Sequence, residues 1–481
     1  MDVRQQRGFF GHPRALGTLF GLEMWERFSF YGMQGILTIY LYYSATEGGL
    51  GLSQAAATSI VGAYGGLVYL SAVIGAWLAD RMFGSERVLF ASAVLIMFGH
   101  ISLALLPGSA GVGAGLVLVA LGSGGLKANA TSIVGGLYEP EDERRDAGFS
   151  LFYMGINIGA FAGPLLTGLA QQNLGFHYGF GLAAIGMALG LVQYAFGRRN
   201  LGPRADVVPN PLPPARRPLV FGVALGAVVV IVLLVLSGAI TAANLALITF
   251  VVIAAASVAY FAVILSSRRI DPLERRRVFG FIPMFLASFV FFSLFQQQFT
   301  VVVIYVDERL DRHLFGWEMP VAWANAINPI FIILLAGAFA ALWTKLGPRQ
   351  PSTPAKFTLA TITAGIAFLL FLPWSANTGN TTPLYALVLI LLLFTIAELL
   401  LSPVGLSLAT KLAPEAFRTQ MVALNFLSVA LGTAAAGFFA ENYDPEHEAP
   451  YFLVVGGAAV LFGLILAACV PWIRRLMPGV H

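Results

Sequence analysis

Apolar runs dominate the chain, separated by short polar stretches rich in Arg, Gly and Pro. Taken in order they predict helices over 15–43, 55–79, 86–106, 112–137, 146–172 and 177–197. A pair follows over 218–238 and 244–267. A second set covers 278–306, 320–345, 355–374, 383–410, 416–440 and 450–473. About 20 apolar residues cross the hydrocarbon core. The pattern therefore predicts an all-α polytopic membrane protein with fourteen spanning helices. Its organisation is an N-terminal six-helix bundle (1–200), linkers with two extra helices (201–277), and a C-terminal six-helix bundle (278–481).

The basic residues test that map. With the N-terminus placed in the cytoplasm, the inward segments take 24 of the 28 Lys and Arg, beginning with Arg4, Arg7 and Arg14. The outward loops hold only Arg309 and Arg312, while Arg27 and Lys127 lie within helices. This is the positive-inside asymmetry that orients membrane proteins. It predicts a multi-pass protein of the cell inner (plasma) membrane with both termini cytoplasmic. The pI near 9.2 then reflects topology, and no nucleic-acid partner is expected.

Composition narrows the class further. The chain is 58% hydrophobic and 11% charged, against about 25% charged in soluble domains. Its 52 glycines suit closely packed membrane helices. The single Cys469 excludes a disulfide framework and a cysteine-rich metal site. The opening MDVRQQRGFFGHPR lacks the apolar core of a cleavable leader. The central pair of helices carries almost no polar side chains, and reads as lipid-facing packing.

Charge inside a membrane is costly and marks a candidate site. GLEMWERFSFYGMQGILTIYLYY at 21–43 carries Glu23, Glu26 and Arg27. Lys127 sits among small residues in GSGGLKANATSIVGG, and Glu398 lies near the middle of 383–410. Glu23 and Arg27, four apart, share a helical face, which Tyr31 and Gln34 extend. This stripe is expected to line a cavity. Alone, Glu23 with Arg27 reads equally as an internal ion pair holding the helix to a neighbour. Lys127 needs a partner from elsewhere, and Glu398 is the candidate. If all five groups are ionised they sum to one negative charge, which favours a proton site. Other polar groups at mid-helix depth are Tyr69, Asn157, Gln296, Gln297, Asn325, Asn328 and Ser402, each read first as an interhelical hydrogen-bond partner. Pro164, Pro329 and Pro403 bend helices and free carbonyls. Positive charge lies mainly in the first half and negative in the second. A short zwitterion fits such a pocket, with a carboxylate on Arg27 and Lys127 and an ammonium on Glu398. A dipeptide or tripeptide spans about 7–10 Å at 3.3–3.6 Å per residue.

Five stretches carry a family resemblance. EMWERFSFYG at 23–32 resembles the E-x-x-E-R-F-x-x-Y-G motif of the proton-dependent oligopeptide transporters of the major facilitator superfamily. GAWLADRMFGSERV (75–88) resembles the superfamily's loop motif between its second and third helices. FSLFYMGINIGAFAGP (149–164), AINPIF (326–331) and AELLLSPVGLSLATKLAP (397–414) resemble further family signatures. The resemblance implies the major facilitator fold and a proton-coupled symporter importing dipeptides and tripeptides by alternating access. It has no cofactor beyond the coupling proton and is expected to work as a monomer. It implies that Glu23, Glu26, Arg27 and Glu398 serve proton coupling. Arg27 and Lys127 would receive the peptide carboxylate. Glu398, Asn157 and Asn328 would receive its amino terminus. Tyr31, Gln34, Tyr69, Gln297 and Ser402 complete the expected binding set, and Lys127 pairs with Glu398 when no peptide is bound.

Three residues depart from the family pattern: Gln34 where many members have Arg, Gln296 where many have Glu or Asp, and Asn425 where many have Trp. They bear on substrate preference and stoichiometry. Two other readings compete: a carrier of the same fold for nitrate or a drug-like solute, and a polytopic membrane enzyme or sensor. The latter predicts a His-rich or paired-acid site at the membrane surface, which the sequence does not offer. Asp307 and Glu308, in the outward DERLDRHLFGWE, are read as solvated surface charge before an outer gate pair. Arg144 and Arg145 are read as topology signals.

Overall fold

A computed structural model describes residues 8–139, 142, 144–376 and 379–478. Arg4 and Arg7 of the charge count lie outside these, as do Pro140, Glu141 and Glu143 of the loop before Arg144. The first six helices are α1 (Arg14–Tyr42), α2 (Gln54–Leu78), α3 (Ser85–Leu105), α4 (Gly108–Gly136), α5 (Arg144–Leu174) and α6 (Phe176–Gly197). Then come α7 (Arg217–Leu236) and α8 (Leu245–Ser266). The rest are α9 (Pro272–Phe295), α10 (Val301–Glu308), α11 (Ile327–Leu346), α12 (Thr353–Leu369), α13 (Leu384–Leu412), α14 (Arg418–Ala440) and α15 (Glu448–Leu476). Thirteen helical segments among the described residues are long and apolar enough to cross a membrane. The fourteenth expected span is α1. Its 29 residues give a length of about 44 Å at 1.5 Å per residue, and its interior charges set it apart.

The chain divides into two compact units, one of residues 1–52 and 67–248, the other of 53–66 and 249–481. The extra helices are thus shared out, α7 with the first unit and α8 with the second. No residue of α7 is buried, as an all-apolar lipid-facing helix requires.

In the first unit α1 packs on α5 and α6, and α3 on α4 and α6. Small residues set the closest approaches. Gly155, Gly159 and Gly163 recur every fourth residue on α5. A Cβ on Gly159 would stand 2.1 Å from the Met24 carbonyl oxygen of α1, and one on Gly163 would stand 2.4 Å from that of Phe28. This small-xxx-small stripe lets two membrane helices touch backbone to backbone. The loop motif at 75–88 ends α2 in a single wide turn, Ala79–Phe83. Gly84 follows at φ +84°, a left-handed conformation that favours glycine.

In the second unit α12 packs against α9, α13 and α15, while α14 packs on α9 and α13. One expected helix is broken. The run 278–306 becomes α9 and α10, joined by a tight turn at Gln296–Phe299. Five β-branched residues, Thr300 to Ile304, come one residue after three consecutive glutamines here, and β-branched side chains crowd the preceding helical turn. Tyr451 of α15 fixes the break by donating to Gln297 Oε1 at 2.6 Å. The loop after α10 forms a two-stranded hairpin that the sequence pattern did not signal. β1 (His313–Leu314) pairs with β2 (Trp317–Glu318) across Phe315 and Gly316, both at positive φ.

Candidate functional site

In the first unit, α1 buries all three of its interior charges. Glu23 is 2%, Glu26 0% and Arg27 4% exposed. Arg27 Nε stands 3.1 Å from Glu23 Oε1 and 2.8 Å from Glu26 Oε2, so one guanidinium serves two carboxylates. Ser123 Oγ of α4 donates to the other Glu26 oxygen at 2.9 Å. Glu23 Oε2 and Arg27 Nη2 are buried and make no hydrogen bond among the described residues. Buried polar atoms left in this way call for an explanation, such as a proton, a water or a ligand. Two carboxylates against one guanidinium leave a single negative charge out of reach of bulk water.

The glycine stripe of α5 sets this geometry, because Gly159 lies directly under Met24 and Arg27. Asn157, on the same helix, is buried and donates to the Tyr153 carbonyl at 2.9 Å. The Lys127 ammonium lies 4.5 Å from the centroid of the Tyr69 ring, a cation–π contact. Tyr31 is half-buried beside Phe30, their ring centroids 5.2 Å apart. Gln34 is buried, with its Oε1 lacking a hydrogen-bond partner among the described residues. The structure therefore brings Glu23, Glu26 and Arg27 into one cluster and Lys127 against Tyr69, all on helices of one unit.

In the second unit, Glu398 of α13 is half-buried. Asn328 Nδ2 of α11 donates to its Oε2 at 3.1 Å and to Thr395 Oγ1 at 3.0 Å. Asn328 precedes Pro329 near the start of α11, just past a tight 3-10 turn over Val321–Ala326. Ser402 lies on the following turn of α13, before Pro403, and is also half-buried. Gln297 behaves differently. It is fully buried, and it both donates to the Ser293 carbonyl and accepts from Tyr451, which ties it to the break in the helix. Gln296 is buried at the head of that break, and Asn425 is half-buried on α14.

Sequence reasoning missed several partners. Ser123 stands four residues before Lys127 and Thr395 three before Glu398. Helical spacing could have flagged both, but single hydroxyls in apolar runs carry little signal. A second buried charge pair also went unseen. Arg309 Nε lies 3.6 Å from Glu448 Oε2, which also accepts from Tyr443 OH at 2.9 Å. The outward loop is likewise bonded: Arg312 contacts Asp307 and Glu318, and Gln54 Nε2 donates to Glu308. On the other face Arg144 is held by Asp142 at 2.8 Å, a local pair. That contact, two hydrogen bonds deep, keeps the Asp142 carboxyl down at about 2.

Comparison with known proteins covers almost the whole chain. The family described as "POT family" matches residues 86–450. A Lactococcus lactis subsp. lactis protein named "Di-/tripeptide transporter" is 39% identical over 99% of both chains. The Yersinia enterocolitica "Peptide transporter YePEPT" is 36% identical over 98% of this chain and 96% of its own. Among solved structures, a "peptide transporter POT in complex with sulfate" superposes with a TM-score of 0.95 at 46% identity, covering 98% of each chain. A "POT family transporter in complex with 5-aminolevulinic acid" gives 0.93 at 38% identity, covering 98% of this chain and all of its own.

Proposed function

The chain belongs to the POT family, and from that premise we propose that it is a proton-coupled symporter importing dipeptides and tripeptides by alternating access. The observation that carries this reading is the buried Glu23–Arg27–Glu26 cluster, whose three charges sum to minus one. A proton is the ion that cancels that charge. Once it binds, the Arg27 guanidinium is released from one carboxylate and is available to another, the C-terminus of a peptide. The Lys127 ammonium, held over an aromatic ring rather than in a close ion pair, joins Arg27 at that carboxylate. The peptide ammonium goes to Glu398, beside the Asn328 amide that already bonds it, with Asn157 assisting. Tyr31, Gln34, Tyr69 and Ser402 line the pocket.

The peptide termini take over the partners that these charged groups have without peptide. Each protonation and each peptide therefore changes the charge balance on which the rocking of the two units depends. The drive is the transmembrane potential, about 2.3 kcal/mol per charge per 100 mV, together with the pH gradient. The relative that binds 5-aminolevulinic acid supports a zwitterion site, since that molecule also carries an amine at one end and a carboxylate at the other. The protein works as a monomer in the inner membrane with both termini cytoplasmic. It uses no cofactor besides protons and catalyses no chemical conversion.

The test is uptake of radiolabelled dialanine into proteoliposomes, with and without an inward proton gradient. Wild type should accumulate the peptide only with the gradient, and Lys127→Ala and Glu398→Gln should each abolish accumulation. Absence of wild-type uptake across a small peptide panel, with folded protein verified, would refute peptide transport. Uptake that survives both substitutions would refute the residue assignment and leave the function standing.

A further inference from the structure

The second unit carries a cavity that the transport reading does not use. It has a volume of about 590 Å³ and lies where the loop between α11 and α12 meets α13 and the end of α15. The charge split assigns this face to the cytoplasm. Three cations line it, Lys356 of α12, Lys411 of α13 and Arg474 of α15, together with Gln350 and the hydroxyls of Ser352 and Ser407. Among the described residues no carboxylate lines it. None of the three cations has an ion pair among the described residues. Lys356 is 7% exposed. Among the described residues its ammonium meets the Gln350 side-chain oxygen at 2.8 Å and the face of Trp343, 4.3 Å from the ring centroid.

A buried ammonium held by a neutral amide and a ring, next to two more cations, is an uncompensated arrangement. Like charges confined in one concavity repel, and removing an unpaired charge from water is costly. The cost is offset when an anion of more than one charge sits among them. The donors suit tetrahedral oxygen: two ammoniums, a forked guanidinium and two hydroxyls whose side chains form no other bond among the described residues. Ser352 also begins α12, a helix of 17 residues, without a side-chain cap. The positive end of that helix dipole adds to the potential.

We propose that this cavity binds a phosphate group, carried either by an anionic phospholipid of the surrounding leaflet or by a soluble phosphate compound. The proposal does not depend on what the protein transports, so its failure would leave the peptide reading intact.

The experiment uses the full chain reconstituted in phosphatidylcholine nanodiscs. One arm titrates inorganic phosphate at constant ionic strength against chloride and follows the midpoint of thermal unfolding. The other counts phosphatidylglycerol molecules retained through detergent washing by native mass spectrometry, with phosphatidylcholine as the reference lipid. Saturable stabilisation by phosphate identifies a soluble anion, and selective retention of phosphatidylglycerol identifies a lipid headgroup. In the arm that responds, Lys411→Gln combined with Arg474→Gln should weaken binding about tenfold or more, the order expected for loss of two hydrogen bonds to a charged group. Both residues are exposed, so the variant should fold. Lys345→Gln, on α11 outside the cavity, should behave as wild type. Lys356→Gln should abolish binding if it folds, and the exposed pair decides the matter if it does not. A wild type that responds in neither arm overturns the proposal. So does a double variant that binds as well as wild type, or an equal loss in Lys345→Gln.

Discussion

Gly159 gives the most direct test of how the first unit builds its charged cluster. Substitution by alanine places a methyl 2.1 Å from the Met24 carbonyl oxygen, 2.9 Å from the Phe28 amide and 3.0 Å from Arg27 Cβ. Ordinary contact begins at 3.4 Å, so the shortfall at Met24 is 3.4 less 2.1, or 1.3 Å. Two of the three neighbours are backbone atoms inside a helix and cannot rotate aside. The helices α1 and α5 must therefore separate or slide by about an ångström at the level of the cluster. Overpacking of this kind costs about 1–3 kcal/mol. The same shift moves Arg27 relative to Ser123, which sits on α4 and need not follow. Gly159→Ala should thus lower the thermal midpoint in detergent by several degrees and reduce dialanine uptake by about tenfold or more. Gly181→Ala on α6, where a methyl meets nothing within 4 Å, is the control. Its midpoint and uptake should match wild type. A Gly159→Ala protein with unchanged midpoint and uptake would refute the claim that backbone contact with α5 positions α1.

Two further outcomes follow from single bonds. Tyr451→Phe removes the donor to Gln297 Oε1 and leaves a buried amide oxygen unsatisfied, at a cost of about 1–3 kcal/mol; chemical unfolding should register the loss, which should largely vanish in a Gln297→Leu background. His12, just before α1, bonds the Tyr138 hydroxyl at 2.9 Å. Burial first, and the Arg144 charge second, lower its pKa below the usual 6.5. Below that pH the unfolded chain takes a proton that the folded chain refuses, so stability should be full above about pH 6.5 and decline as pH falls through it. Thermal midpoints measured from pH 7.5 to 5 should show a shallower decline for His12→Asn than for wild type. An equal decline would assign the pH dependence to other groups.

Much of this protein was legible in its sequence. Fourteen apolar runs and the lopsided distribution of Arg and Lys laid out the spanning helices, because a bilayer imposes a fixed length and satisfies no stray backbone polar group. The charges in 21–43 singled out α1 for the same reason, since hydrocarbon tolerates them only at a site. Even the helix break could be suspected from three glutamines and, after Phe299, five β-branched residues. Tertiary structure decided the rest. That Ser123 holds Glu26 and that Asn328 holds Glu398 depends on which helices are neighbours and at what rotation. The sequence spacing of one helix cannot carry that information. The division of the two extra helices between the units was likewise unreadable, because uniformly apolar helices show no face. The glycines illustrate the boundary best. Their number announced close packing, but only the fold placed Gly159 against Met24, where one hydrogen in place of a methyl sets the position of the charged cluster.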